Sequence, residues 1–163
     1  MPFDTPFRLG PFIVDAAGRL SPGTPERFPA FSVCWRDRLV HLRLACAPAP
    51  GDTHGSLGVE VVLGRMPSTA GARGGPARRA AAFAVLHGLP AVLPAGWELL
   101  LQADHRVRLE LQIGLELPAQ ATALVTAVTS LLLELAPYLD VLDAAGIAAV
   151  PCAGAGSANA WPG

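Results

Sequence analysis

A chain of 163 residues, 52% hydrophobic and only 15% charged, can bury one sizeable core and is too apolar for a disordered polymer. Its net charge of −1 gives no overall attraction to nucleic acid or to an anionic membrane, so a charge-based function must be local. Cys34, Cys46 and Cys152 make an odd set that cannot form a complete disulfide framework, which points to reduced thiols in a cytoplasmic protein.

Residues 1–30 read as an irregular N-terminal segment with one small hairpin. In FIVDAAGRL, Asp15 and Gly18 suit the first and last positions of a type I turn. The start MPFDTPFRLGPF lacks a basic stretch followed by an apolar run, so no secretory leader is expected. In FSVCWRDRLVHLRLAC, Phe31, Val33 and Trp35 alternate with polar or small residues. After a two-residue turn, Val40, Leu42 and Leu44 do the same. Such a turn pairs odd positions with even ones, which puts both apolar sets on one face. That register also separates Cys34 from Cys46 along the ladder, arguing against a bond between them. LGVEVVLG supplies a third strand through Leu57, Val59, Val61 and Leu63.

A loop rich in glycine and arginine follows. Pro76 at a first helical position and Gly88 at a C-terminal cap then bracket a helix of about three turns. WELLLQA and RVRLELQIGLEL read as a second hairpin. Matching Trp97, Leu99, Leu101 and Ala103 to the odd positions of its second strand requires an odd loop at Asp104-His105-Arg106. A long helix over about 119–145 carries Leu124, Val128, Leu131, Leu135, Tyr138, Leu139 and Leu142 on one side. Pro137 is expected to kink or split it, and Gly146 to end it. Residues 151–163 read as a flexible tail behind a single domain over 1–150. Neither 80–97 nor 117–133 makes a good membrane span, because proline, glycine and polar residues interrupt both.

The fold class expected is therefore α+β, in two layers. An antiparallel sheet of about five to seven strands carries a middle helix and a long C-terminal helix on one face.

Chemistry concentrates in the loop before the middle helix. No acidic residue occurs between Glu60 and Glu98, while Arg65, Arg73, Arg78 and Arg79 all lie there. Arginines in a helix's first turn oppose its dipole by a few tenths of a kcal/mol, which an anionic partner would offset. The loop is not a nucleotide motif: it lacks both the lysine and the glycine spacing of a P-loop, and its neighbours are antiparallel. The loop is read as an exposed basic linker that needs no ligand; as a site, the four arginines are the anion-binding candidates. Turn chemistry explains Asp104 and His105 better than acid–base work with Ser68 as nucleophile. The histidines and cysteines lack metal-ligand spacing, so neither a metal nor a cofactor is expected.

Two apolar features break the pattern. Leu39, Val62 and Leu100 interrupt the polar sides of their strands, and with Trp35 they are candidates for binding a partner protein. Leu133 lies opposite Leu124 on the long helix, among Thr126, Thr129, Ser130 and Val141. The middle helix is almost wholly apolar after Arg79. A helix apolar on most sides is covered on most sides, either within the domain or by a second subunit.

The order of three strands, a helix, two strands and a long helix over about 31–145 resembles the class I type III secretion chaperones and their bacterial relatives. The resemblance implies a non-enzymatic, cytoplasmic homodimer that binds an extended segment of another protein on its sheet. The alternative is a small-molecule binder or enzyme, with an anionic ligand in a cup between the sheet and the long helix.

Overall fold

The structure, a computed structural model, describes residues 5–23, 29–45, 53–70 and 75–152. Period-two alternation becomes two antiparallel sheets. Strands β1 (Phe7–Leu9), β2 (Phe12–Val14) and β3 (Leu20–Pro22) form a small one. The main sheet has the order β4-β5-β6-β8-β7, from β4 (Ala30–Trp35), β5 (Arg38–Ala45), β6 (His54–Arg65), β7 (Glu98–Leu101) and β8 (Arg106–Glu116). Helices α1 (Gly75–Gly88) and α2 (Ala121–Ala144) complete an α+β domain of the expected kind. The N-terminal hairpin makes its own sheet rather than extending the main one.

Each hairpin is set by its turn. Between β2 and β3 the Gly18 N–H donates to the Asp15 carbonyl at 2.9 Å, and the Asp15 carboxylate accepts from Ala17 N and Arg19 N. Between β4 and β5, Arg36 and Asp37 both take positive φ (50° and 57°), as a two-residue type I′ turn requires. The resulting register pairs Phe31 with Leu42 and Val33 with Val40, the parity expected from the sequence. The second hairpin pairs Leu101 with Val107 and Leu99 with Leu109, odd with odd. Its loop is Ala103-Asp104-His105, one residue earlier than expected, because Gln102 N–H still bonds the Arg106 carbonyl at 2.8 Å. β7 is shorter than its pattern suggested, and Leu101 is left exposed at the sheet edge.

One core joins both layers. Val40, Leu42, Leu57, Val61, Val107 and Leu109 of the sheet meet Ala82 and Leu86 of α1 and Leu124, Leu131, Leu135, Leu139 and Leu142 of α2. Burying one such leucine contributes about 1.5–3 kcal/mol before entropy is counted. The small sheet joins this core through Phe12, whose ring stands edge-on to Phe31 at 6.0 Å.

α2 runs unbroken through Pro137, contrary to the expected kink or split. Pro137 sits on the exposed side of the helix, where water can satisfy the carbonyl its missing N–H leaves free. The helix ends as a Schellman turn. Gly146 adopts φ 80°, its N–H bonds the Asp143 carbonyl at 3.0 Å, and Ile147 N–H bonds the Leu142 carbonyl at 3.0 Å. Ile147 is then fully buried, and Arg65 N–H donates to the Ala148 carbonyl at 2.8 Å. The chain after α2 thus takes a place beside the end of β6.

Candidate functional site

The end of the sheet where β6 stops is held by two arginine–aspartate pairs. Asp140 and Asp143, one turn apart on α2, face the β4–β5 turn. Arg36 binds Asp140 and donates to the Ala136 carbonyl at 3.3 Å. The hydrogen bond to Asp140, and then the charges of Asp140 and Asp143, raise the Arg36 pKa against partial desolvation. Arg38 is 2% exposed. Its Nε donates to the Leu63 carbonyl at 2.7 Å, Nη1 to the Arg36 carbonyl at 3.1 Å, and Nη2 to Asp143 Oδ1 at 2.5 Å. A buried guanidinium is tolerated because carbonyls and a carboxylate take up its donors. Neither pair was anticipated from the sequence, since their members stand more than 100 positions apart.

Beyond this clamp lies a cleft of about 680 Å³, lined by Arg65, Met66, Pro67, Ser68, Thr69, Arg79, His105, Gly146 and Ala148. Four parts of the chain build it: the exit of β6, the second turn of α1, the β7–β8 loop and the segment that follows α2. His105 reaches it because the loop folds back. His105 adopts φ 67°, and its carbonyl accepts the Met66 N–H at 2.9 Å. Turn chemistry does account for this loop, as expected. Asp104 accepts the Arg106 N–H at 3.0 Å and pairs with Arg106 Nε at 3.2 Å. Arg79 is held from two sides, donating to the Pro67 carbonyl at 2.9 Å and lying 5.1 Å from the Phe83 ring centroid. Ser68 Oγ accepts the Ala70 N–H at 3.1 Å.

Of the four anion-binding candidates, Arg65 and Arg79 therefore converge on one cleft. Arg78 is exposed on α1 outside it, and Arg73 lies outside the described residues. The cleft is not the cup expected between sheet and long helix. That interface is filled by the leucines of α2, and the cavity opens at the end of the sheet instead.

Three of the four protein-binding candidates fall into register. Cys34 pairs with Leu39, Val40 with Val61, Val62 with Arg108, and Leu100 with Arg108. Leu39, Val62 and Leu100 thus lie in one row across the outer face of the sheet. Arg108 sits within the row, paired with Glu60 at 3.1 Å. Trp35 does not belong with them. It pairs with Arg38, on the face that carries Val33 and Phe31, and packs half-buried against the core with Arg36 5.7 Å from its ring.

The helical layer shows apolar surface on its outer side. Leu133 is 67% exposed and Val125 55%, joined by Val141 on α2 and Phe83 on α1. α1 buries only Gly75, Ala82 and Leu86. By length and composition α2 is apolar enough to cross a membrane, yet it lays its leucine face on the sheet.

Cys34 is bonded to Cys152, 118 positions away, with the Cα atoms 6.2 Å apart. This corrects the expectation of reduced thiols. The chain after α2 passes round the sheet end to Cys34, on the outer face of β4, and the bond holds Cys152 there. Cys46 and residues 153–163 lie outside the described residues. Among the described residues no group of three or more His, Cys, Asp or Glu side chains is placed to hold a metal ion. Compared with known proteins, the chain matches no family model, no curated protein sequence and no solved structure.

Proposed function

We propose that this chain is a non-enzymatic, chaperone-like protein-binding domain that acts as a homodimer. The observation that carries the reading is the outer side of its helical layer. From Ala121 to Leu133 α2 has no charged residue, and its exposed positions are Val125, Leu133, small residues and threonines. A second copy of the same face is the occupant such a surface suits, because a two-fold contact sets each residue near its own kind and like charges would repel there. α2 alone, about 36 Å long, offers a narrow strip. Stable complexes bury roughly 800 Å² per partner, so α1, which exposes Phe83, would have to join it.

The outer row of Leu39, Val62 and Leu100 supports the second half of the reading, an extended partner segment laid on the sheet. The order of elements from β4 to α2 is also that of the secretion chaperones the sequence resembles. A cytoplasmic seat belongs to the same reading, and the Cys34–Cys152 bond counts against it, since such bonds are uncommon in a reducing cytosol. Light scattering across a range of protein concentrations tests the proposal: a mass of two chains is expected, and one chain at every concentration would overturn it.

A further inference from the structure

We propose that the cleft at the end of the sheet binds a phosphate monoester. Its phosphoryl group would be held between the guanidiniums of Arg65 and Arg79, and the rest of the ligand would rest against Met66, Pro67 and Ala148. The cleft, at about 680 Å³, has the size of a small-molecule site. Its lining carries two cationic side chains, two hydroxyls and an imidazole, and no carboxylate.

The charge pattern points the same way. Arg65 stands directly opposite Arg106 in the β6–β8 ladder, and like charges so placed repel. Arg106 is neutralised by Asp104, whereas the Arg65 side chain makes no hydrogen bond or ion pair among the described residues. Arg79 is pre-positioned. One nitrogen is fixed on Pro67 and the guanidinium carbon lies over the Phe83 ring, which leaves donors uncommitted and lowers the entropy cost of engaging an anion.

A carboxylate is planar and is satisfied by a single arginine fork. A phosphoryl group carries nearly two charges on three oxygens, which suits two guanidiniums from separate elements in a cleft that Ser68 and Thr69 also line. The site lies within one chain, so its test is independent of whether the protein dimerises.

Titration calorimetry with inorganic phosphate and with glycerol 3-phosphate, and flotation with phosphatidic acid vesicles, tests the site. Glycerol serves as the uncharged control. Saturable binding of the phosphate compounds and not of glycerol is expected, weakened about tenfold or more by Arg65→Gln. Arg65 is exposed, so this variant should melt as the parent does; Arg79→Gln serves as the second variant. Vesicle binding with the same Arg65 dependence would support the site and assign the monoester to a lipid headgroup. Absence of binding in every arm, or binding that both substitutions leave unchanged, would overturn the proposal.

Discussion

Gly64 shows how one missing side chain lets two segments meet. A Cβ there would stand 2.6 Å from the Ala148 carbonyl oxygen and 2.9 Å from Ile147 Cγ2, so backbone would have to move. Gly64→Ala is expected to destabilise by about 1–3 kcal/mol in urea unfolding, with the displaced 146–148 segment opening the cleft. Asp37 is the opposite case, a residue with a Cβ at φ 57° in a turn that favours glycine. Asp37→Gly should stabilise by about 0.5–1 kcal/mol; a lower midpoint would mean that its side chain has a role in the turn. Asp143 compensates the buried Arg38 and Asp140 only the exposed Arg36. Asp143→Ala should cost about 2–3 kcal/mol, below the usual range for a broken buried pair because Asp143 is itself partly solvated. Asp140→Ala should change the unfolding midpoint little.

At the scale of the element, α2 has two faces with different duties. Its leucine face is closed by the sheet, and its outer face is closed by nothing within the described residues except where Asp140 and Asp143 meet the arginines. Leu133→Glu tests the division, because it charges the outer face without touching the core. The variant is expected to keep its melting behaviour at low concentration while its mass in light scattering falls from two chains to one. Loss of the fold instead would show that Leu133 is covered within the monomer. The β7–β8 loop has two duties as well: its turn is local, but its docking on Met66 brings His105 to the cleft.

For the whole molecule, the bond between Cys34 and Cys152 closes a loop spanning 118 positions, which includes almost every element of the main sheet and both helices. Restricting so long a loop in the unfolded chain stabilises the folded state by roughly 3–5 kcal/mol in the entropic account. Urea unfolding with a phosphine reductant should therefore show a lower midpoint than without it, and Cys152→Ser should be low in both and insensitive to reductant. Alkylation before lysis should label one cysteine per chain where the bond has formed. Labelling of all three would place the protein in a reducing compartment and make the bond a product of isolation.

Local and periodic features were legible in the sequence. The β4–β5 parity, the odd loop of the second hairpin, the Asp15–Gly18 turn, the Gly146 stop and the leucine face of α2 all depend on neighbours within a few residues. Alternation, helical spacing and turn preference report such neighbours directly. The concentration of arginine before α1 was legible too, as a bias in composition. Only the tertiary structure decided which arginines share a cleft, because Arg65, Arg79 and His105 come from elements whose meeting depends on how the chain exit from α2 packs beside β6. It also decided that Pro137 leaves α2 whole and that Cys34 reaches Cys152. These contacts join residues far apart in the chain. Periodicity says which face of an element is buried, and nothing about which distant residue waits on the other side.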